Sequence, residues 1–130
     1  MSILVALSKS ERRRRIMDFA VEEAKFRGEK LIVVHSLYGG DRTSKEEIEE
    51  GETLLKWAEE KAKSAGVEVE THLLVRGKEP GDDVLEFAKE IKPEMIVVGV
   101  KKRSPAGKIV FGSVPQKIIL NSEVPVVSVK

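Results

Sequence analysis

Ile3-Leu4-Val5-Ala6-Leu7 is a run of five apolar residues near the start of a 130-residue chain. Consecutive side chains of an extended strand point to opposite faces, so an unbroken apolar run predicts a strand buried on both sides. That is the mark of a parallel sheet covered by helices. Leu31-Ile32-Val33-Val34 and Met95-Ile96-Val97-Val98 read the same way. From Val67 to Val75 the pattern changes: Val67, Val69, Thr71, Leu73 and Val75 alternate with Glu68, Glu70 and His72. Alternation predicts an edge strand with one wet face. Val124–Val129 is the fifth strand, and Pro125 suits its start or a sheet edge.

Amphipathic segments fill the intervals. Ile16, Phe19, Ala20 and Ala24 keep helical spacing up to Gly28, a stop signal. Ser44 with Glu47 forms a capping box ahead of Ile48, Leu55, Ala58, Ala62 and Ala65, and Gly66 closes that helix. Val84, Leu85, Ala88 and Ile91 mark a third helix after Pro80, with Asp82 and Asp83 favouring its N-terminus. Ser113 opens a short fourth one, where Ser113 and Gln116 read as a second capping box and Pro115 is tolerated in the first turn. The order β-α-β-α-β-α-β-α-β implies an α/β fold: a doubly wound, five-stranded parallel sheet with right-handed crossovers. Ligands of such sheets sit beyond the carboxyl ends of the strands, where the strand order reverses. With the first and fourth strands central, Ser8-Lys9-Ser10 and the loop from Gly99 to Phe111 flank one crevice.

Composition narrows the class. The length fits one domain over residues 1–130, able to bury roughly two-thirds of its unfolded surface. Hydrophobic residues make up 41% and charged residues 35%, which indicates a globular chain. A net charge of +1 argues against a nucleic-acid partner, which calls for a basic excess. Without cysteine there is no disulfide framework, thiolate metal site or cysteine nucleophile. The apolar runs are far too short to span a membrane, and the N-terminus lacks a signal-peptide pattern, so the expected compartment is the cytoplasm. Eighteen Glu and 15 Lys beside one Asn and one Gln give a thermophile-like bias.

The strongest local signal runs from Gly99 to Ser113. A glycine ends a central strand, four cations (Lys101, Lys102, Arg103, Lys108) follow, and Gly112-Ser113 opens a helix. Free N–H groups and a positive dipole end make that helix start an anion site, unless the Ser113 capping box satisfies them. Arg12-Arg13-Arg14-Arg15 oppose the dipole of the first helix. Either a bound polyanion relieves this, or the arginines form a solvated face with Glu11–Arg15 and Arg14–Asp18 pairs. His35 reads as a packed strand residue, His72 as a wet-face residue and Trp57 as a partly buried anchor. Walker and dinucleotide glycine motifs are absent, as is any nucleophile with a base, so catalysis is not the leading reading.

Taken together the chain resembles the universal stress protein family over essentially its whole length. Val5-Ala6-Leu7-Ser8-Lys9-Ser10 matches that family's V-A-V-D-G-S strand, and Val33-Val34-His35 its V-V-H. The spacing from Gly99 to Gly112-Ser113 fits its G-x-x-G-x9-G-[ST] nucleotide motif, and Pro125-Val126-Val127 its closing strand. The resemblance implies an adenine-nucleotide alpha-hydrolase-like sheet of order 3-2-1-4-5. It further implies a homodimer through the C-terminal strand Val124 to Val129, and binding of ATP or another adenine nucleotide, in one branch with Mg2+. Carried over by position, Ala6, Ser8 and Ser36 lie near the adenine, Gly99 and Lys102 near ribose and phosphates, and Gly112, Ser113 and Val114 at the phosphate tail. Two positions depart from the family pattern. Ser8 replaces an acidic residue, and Lys102 replaces the second glycine of the motif, where it either obstructs the phosphate cradle or grips phosphate. The implied function is a non-catalytic, dimeric, stress-response nucleotide-binding protein, with slow ATP hydrolysis at most. The alternative is a dimeric interaction protein of the same fold in which Lys102 has abolished nucleotide binding.

Overall fold

The computed structural model describes residues 1–100, 107 and 111–130. Among these, the strands are β1 (Ser2–Ala6), β2 (Lys30–Leu37), β3 (Val69–Val75), β4 (Met95–Gly99) and β5 (Val126–Val129). The helices are α1 (Arg13–Arg27), α2 (Lys45–Ser64), α3 (Pro80–Ile91) and α4 (Ser113–Asn121), with a 3-10 turn at Gly40–Arg42. All strand pairs are parallel and the order is β3-β2-β1-β4-β5, the order that the family resemblance implies.

The sheet separates two cores. Ile3, Val5, Leu31, Val33, Met95 and Val97 face α1 and α2, where Ile16, Met17, Ala20, Leu55 and Ala58 meet them. Leu4, Ile32, Val34, Ile96 and Val98 face α3 and α4, against Val84, Phe87 and Ile118. The five apolar residues of β1 and its flank are thus divided between two hydrophobic layers, which is why no polar residue interrupts them.

Local signals explain the helix ends. Gly28 closes α1 at φ 65°, a left-handed conformation cheap for glycine. Ser44 Oγ accepts from the Glu47 N–H while Glu47 Oε1 accepts from the Ser44 N–H, completing the predicted capping box. The second predicted box does not form. Gly112 is the N-cap of α4 and no side chain among the described residues caps the helix, so Ser113 is one position too far along to serve.

The edge strand β3 differs from its expected form at its carboxyl end. Its odd positions Val69 and Leu73 do pack on the α1/α2 core. The opposite face is wet at Glu68, Glu70 and His72, as expected, although the His72 ring also lies 5.1 Å from that of Phe87; beyond them Leu74 is buried against α3. Helix α3 extends over this end of the sheet, and the apolar Leu74 follows.

Candidate functional site

Strand order reverses between β1 and β4, whose successors leave in opposite directions across the sheet. The register aligns Ala6 with Val34 and Val5 with Val97, and the Leu7 N–H continues the ladder to the Val34 carbonyl. Ala6, Ser36 and Gly99 therefore stand at the same carboxyl edge, at the ends of three adjacent strands. Ala6 is half-buried against the α3/α4 core, and Ser8 is exposed just past the strand, its carbonyl accepting from the Ser10 N–H.

Gly99 has a reason to be glycine that involves no ligand. A Cβ there would overlap Ile16 Cδ1 and lie 3.3 Å from Ile16 Cγ1. Ile16 is 1% exposed, so α1 packs into the space a side chain would take. Because α4 is the crossover between the parallel strands β4 and β5, its N-terminus starts from the same carboxyl edge. Gly112 is buried, Ser113 is exposed, and Val114 turns its side chain toward the α3/α4 core, leaving its backbone to the helix start. With no side-chain cap among the described residues, the first-turn N–H groups keep their donor capacity for an incoming acceptor. Lys102 lies outside the described residues, as do the other cations of its loop.

Ser36 is the polar residue of the group that the fold anchors most firmly. It is 9% exposed, and its Oγ donates to Asp83 Oδ2 at 3.3 Å. Asp83 is completely buried and accepts from Arg76 Nε at 2.6 Å. The Asp83 hydrogen bond, ahead of any other cause, raises the Arg76 guanidinium above its ordinary range. Arg76 also reaches Glu90 at 3.4 Å and stands over the Phe87 ring. Asp83 stands in the first turn of α3, as expected, and is in addition an internal counter-ion; Asp82, in the same turn, is exposed and pairs with Lys117 of α4 at 2.8 Å. The helical spacing of Asp83 with Phe87 was the available signal that it faces inward.

The β2 side of the crevice is braced. Arg42 stacks on Tyr38 with 3.7 Å from guanidinium to ring centroid and pairs with Glu79, the N-cap of α3, at 2.8 Å. The Gly77 N–H donates to the Tyr38 carbonyl, and Val75 Cγ1 would meet a Cβ on Gly39 (φ 94°) at 2.6 Å. His35 is held by an Nδ1 hydrogen bond of 2.8 Å to the Leu7 carbonyl, in keeping with a packed residue.

A groove of about 910 Å³ opens elsewhere, between the N-terminal halves of α1 and α2, and none of the seven described candidate residues lines it. Lys9, Arg13 and Arg14 face Glu46, Glu49 and Glu50 across it. Lys9 bonds Glu50 at 2.7 Å, and Arg13 lies 5.9 Å above the half-buried Trp57. The expected Arg14–Asp18 pair is not made, because Asp18 pairs with Lys61 at 2.7 Å. Charges of both signs line the groove, so it is no polyanion site. Among the described residues no three His, Asp or Glu side chains gather to hold a metal ion, and no helix is long and apolar enough to cross a membrane.

Comparison with known proteins agrees with this architecture. The Universal stress protein family profile matches residues 1–130. A universal stress protein from Archaeoglobus fulgidus of known structure is 50% identical, with TM-score 0.93 over 100% of this chain and 98% of that one. A second Archaeoglobus fulgidus structure, of the universal stress protein in complex with dAMP, is 45% identical, with TM-score 0.87 and the same coverage. Universal stress protein YxiE of Bacillus subtilis is 32% identical across 98% of this chain and 97% of its own length. Sheet order, a helix after β4 that no side chain among the described residues caps, and full-length similarity converge: this chain belongs to the universal stress protein family.

Proposed function

We propose that this chain is a stress-response module that binds an adenine nucleotide at the carboxyl ends of β1, β2 and β4, and works by binding rather than by catalysis. The observation that carries the reading is the start of α4. Gly112 is buried at the start of the helix that follows β4, and no side chain among the described residues caps it, so the Ser113 and Val114 N–H groups are natural donors to phosphate oxygens. The base then lies toward Ala6, Ser8 and Ser36, with Gly99, Lys102, Ser113 and Val114 along the ribose and phosphates. The relative of 45% identity that binds dAMP supports the ligand class. The described residues offer no carboxylate cluster for Mg2+, so the reading assigns no role to one. The module would act as a homodimer through β5, an edge strand whose preceding helix exposes Ile119 and Leu120.

The test is the nucleotide content of the purified protein, measured by mass spectrometry after denaturation, followed by thermal melts with and without Mg-ATP. Ligand at 100 times its dissociation constant adds about 2.7 kcal/mol. The same melts on Lys102→Gly separate the two roles of that lysine: a larger shift means it obstructs the cradle, a smaller one that it grips phosphate. Absence of both retained nucleotide and thermal shift in either protein would overturn the reading in favour of a dimeric interaction protein.

A further inference from the structure

Asp83 is a carboxylate with no exposed surface, a costly placement unless its oxygens are satisfied. The structure divides them: Oδ1 takes the Arg76 guanidinium at 2.6 Å, and Oδ2 takes the Ser36 hydroxyl at 3.3 Å. One side chain on α3 therefore ties down the residue after β3 and the carboxyl end of β2. A carboxylate only accepts hydrogen bonds, whereas a hydroxyl has one proton to give and two lone pairs. Ser36 gives its proton to Asp83, so toward any other group it can offer only lone pairs.

We propose that Asp83, acting through Ser36, sets base selectivity. By fixing the Ser36 hydroxyl as an acceptor toward the crevice, it favours a purine with an amine at carbon six over one with a carbonyl there. The proposal rests on the nucleotide reading above and adds to it a reason for choosing adenine. The amine donates to Oγ; a carbonyl oxygen would face the Ser36 lone pairs with no proton between them, leaving both groups unpaired on desolvation. Sites built around a specific hydrogen bond reject the mismatched partner strongly for this reason. Asp83 is a positioning residue here, since it meets Ser36 and not the ligand.

Calorimetric titration of AMP and IMP into the wild-type protein, Asp83→Asn and Ser36→Ala tests the idea. The asparagine keeps an oxygen for Arg76 while its amide can donate to Ser36 Oγ, which releases the Ser36 proton toward the ligand. The expected result is an AMP-to-IMP affinity ratio about ten-fold lower in Asp83→Asn, with a gain in IMP binding that loosened packing would not produce. Ser36→Ala should lower the ratio through weaker AMP binding and leaves Arg76 its partner, so it carries the test if Asp83→Asn fails to fold. A ratio unchanged in Ser36→Ala, or equal weakening of both nucleotides in both variants, overturns the proposal while the nucleotide reading stands. A wild-type protein that binds neither nucleotide overturns both.

Discussion

Gly99→Ala should cost stability although it places an ordinary residue in an ordinary strand. The new Cβ overlaps Ile16 Cδ1 and crowds Cγ1. The clashing methyl is the end of a side chain and could turn aside in an open site, but Ile16 is 1% exposed and has nowhere to go. Overpacking of this kind costs about 1–3 kcal/mol. Alanine returns about 0.4–1 kcal/mol by restricting the unfolded chain, leaving a net loss of about 1–2 kcal/mol. For this chain length that is a fall in Tm of about 4–8 °C. Ile16→Val removes the offending methyl at a cost of about 0.5–1.5 kcal/mol by itself. The double variant should be no less stable than Ile16→Val alone, giving a coupling of about 1 kcal/mol in a double-mutant cycle measured by urea denaturation. Additivity within about 0.5 kcal/mol would refute the argument that α1 fills the space above Gly99. The relieved background also isolates any ligand role: Gly99→Ala that is neutral for stability there, yet weakens nucleotide binding, would show that Gly99 serves both neighbours.

Gly51 sits inside α2, where alanine ordinarily stabilises by about 1 kcal/mol. Here a Cβ would come within 2.9 Å of both His35 Cδ2 and Leu73 Cδ1, so Gly51→Ala should instead destabilise by about 1–3 kcal/mol in urea, and a gain in stability would contradict the packing. Glu29 and Glu94 each bury a carboxyl oxygen that no donor reaches unless one of the two carboxyls holds a proton. Their mutual hydrogen bond pushes the Glu29 carboxyl up and holds Glu94 down, the latter helped next by Arg27 once burial is offset. A raised carboxyl supports folding while protonated and loses that contribution as pH climbs through its folded value. Glu29→Gln, which keeps a donor to Glu94, should therefore be more stable than wild type at neutral pH, with the gap closing in acid; denaturation across that range with a constant gap would refute the shared proton.

The sheet was legible because Ile3–Leu7, Leu31–Val34 and Met95–Val98 are unbroken apolar runs, and only burial on both faces demands that. Helix ends were legible where the side chain itself makes the cap, as at Ser44 and Glu47, or where glycine takes a left-handed turn, as at Gly28. Ser113 misled because a capping box and a helix start shifted by one residue look alike until the backbone N–H directions are known. The second role of Asp83 was hidden for a different reason. A carboxylate in a first helical turn is so commonly a dipole residue that its inward direction shows only when Arg76 and Ser36, from two other elements, are seen to converge on it. Gly99 was legible as an important glycine, but not as one that Ile16, 83 positions earlier, requires.

Burial of β1 on both faces has a consequence for how the strand finds its place. Sliding an alternating strand by one residue throws its greasy side into water, an error that corrects itself. Sliding β1 by one residue would merely exchange Ile3 and Val5 for Leu4 between two equally oily compartments. Hydrophobicity alone therefore cannot reject the misthreaded chain, and the correct alignment must be chosen by shape and by the few contacts that do not slide. The polar turn after the strand is such a stop: the Ser8 carbonyl accepts from the Ser10 N–H, and a slip would draw Ser8 into the sheet. It lies at the carboxyl end of β1, so the feature that proofreads the threading of the central strand also sets the edge from which the crevice is built.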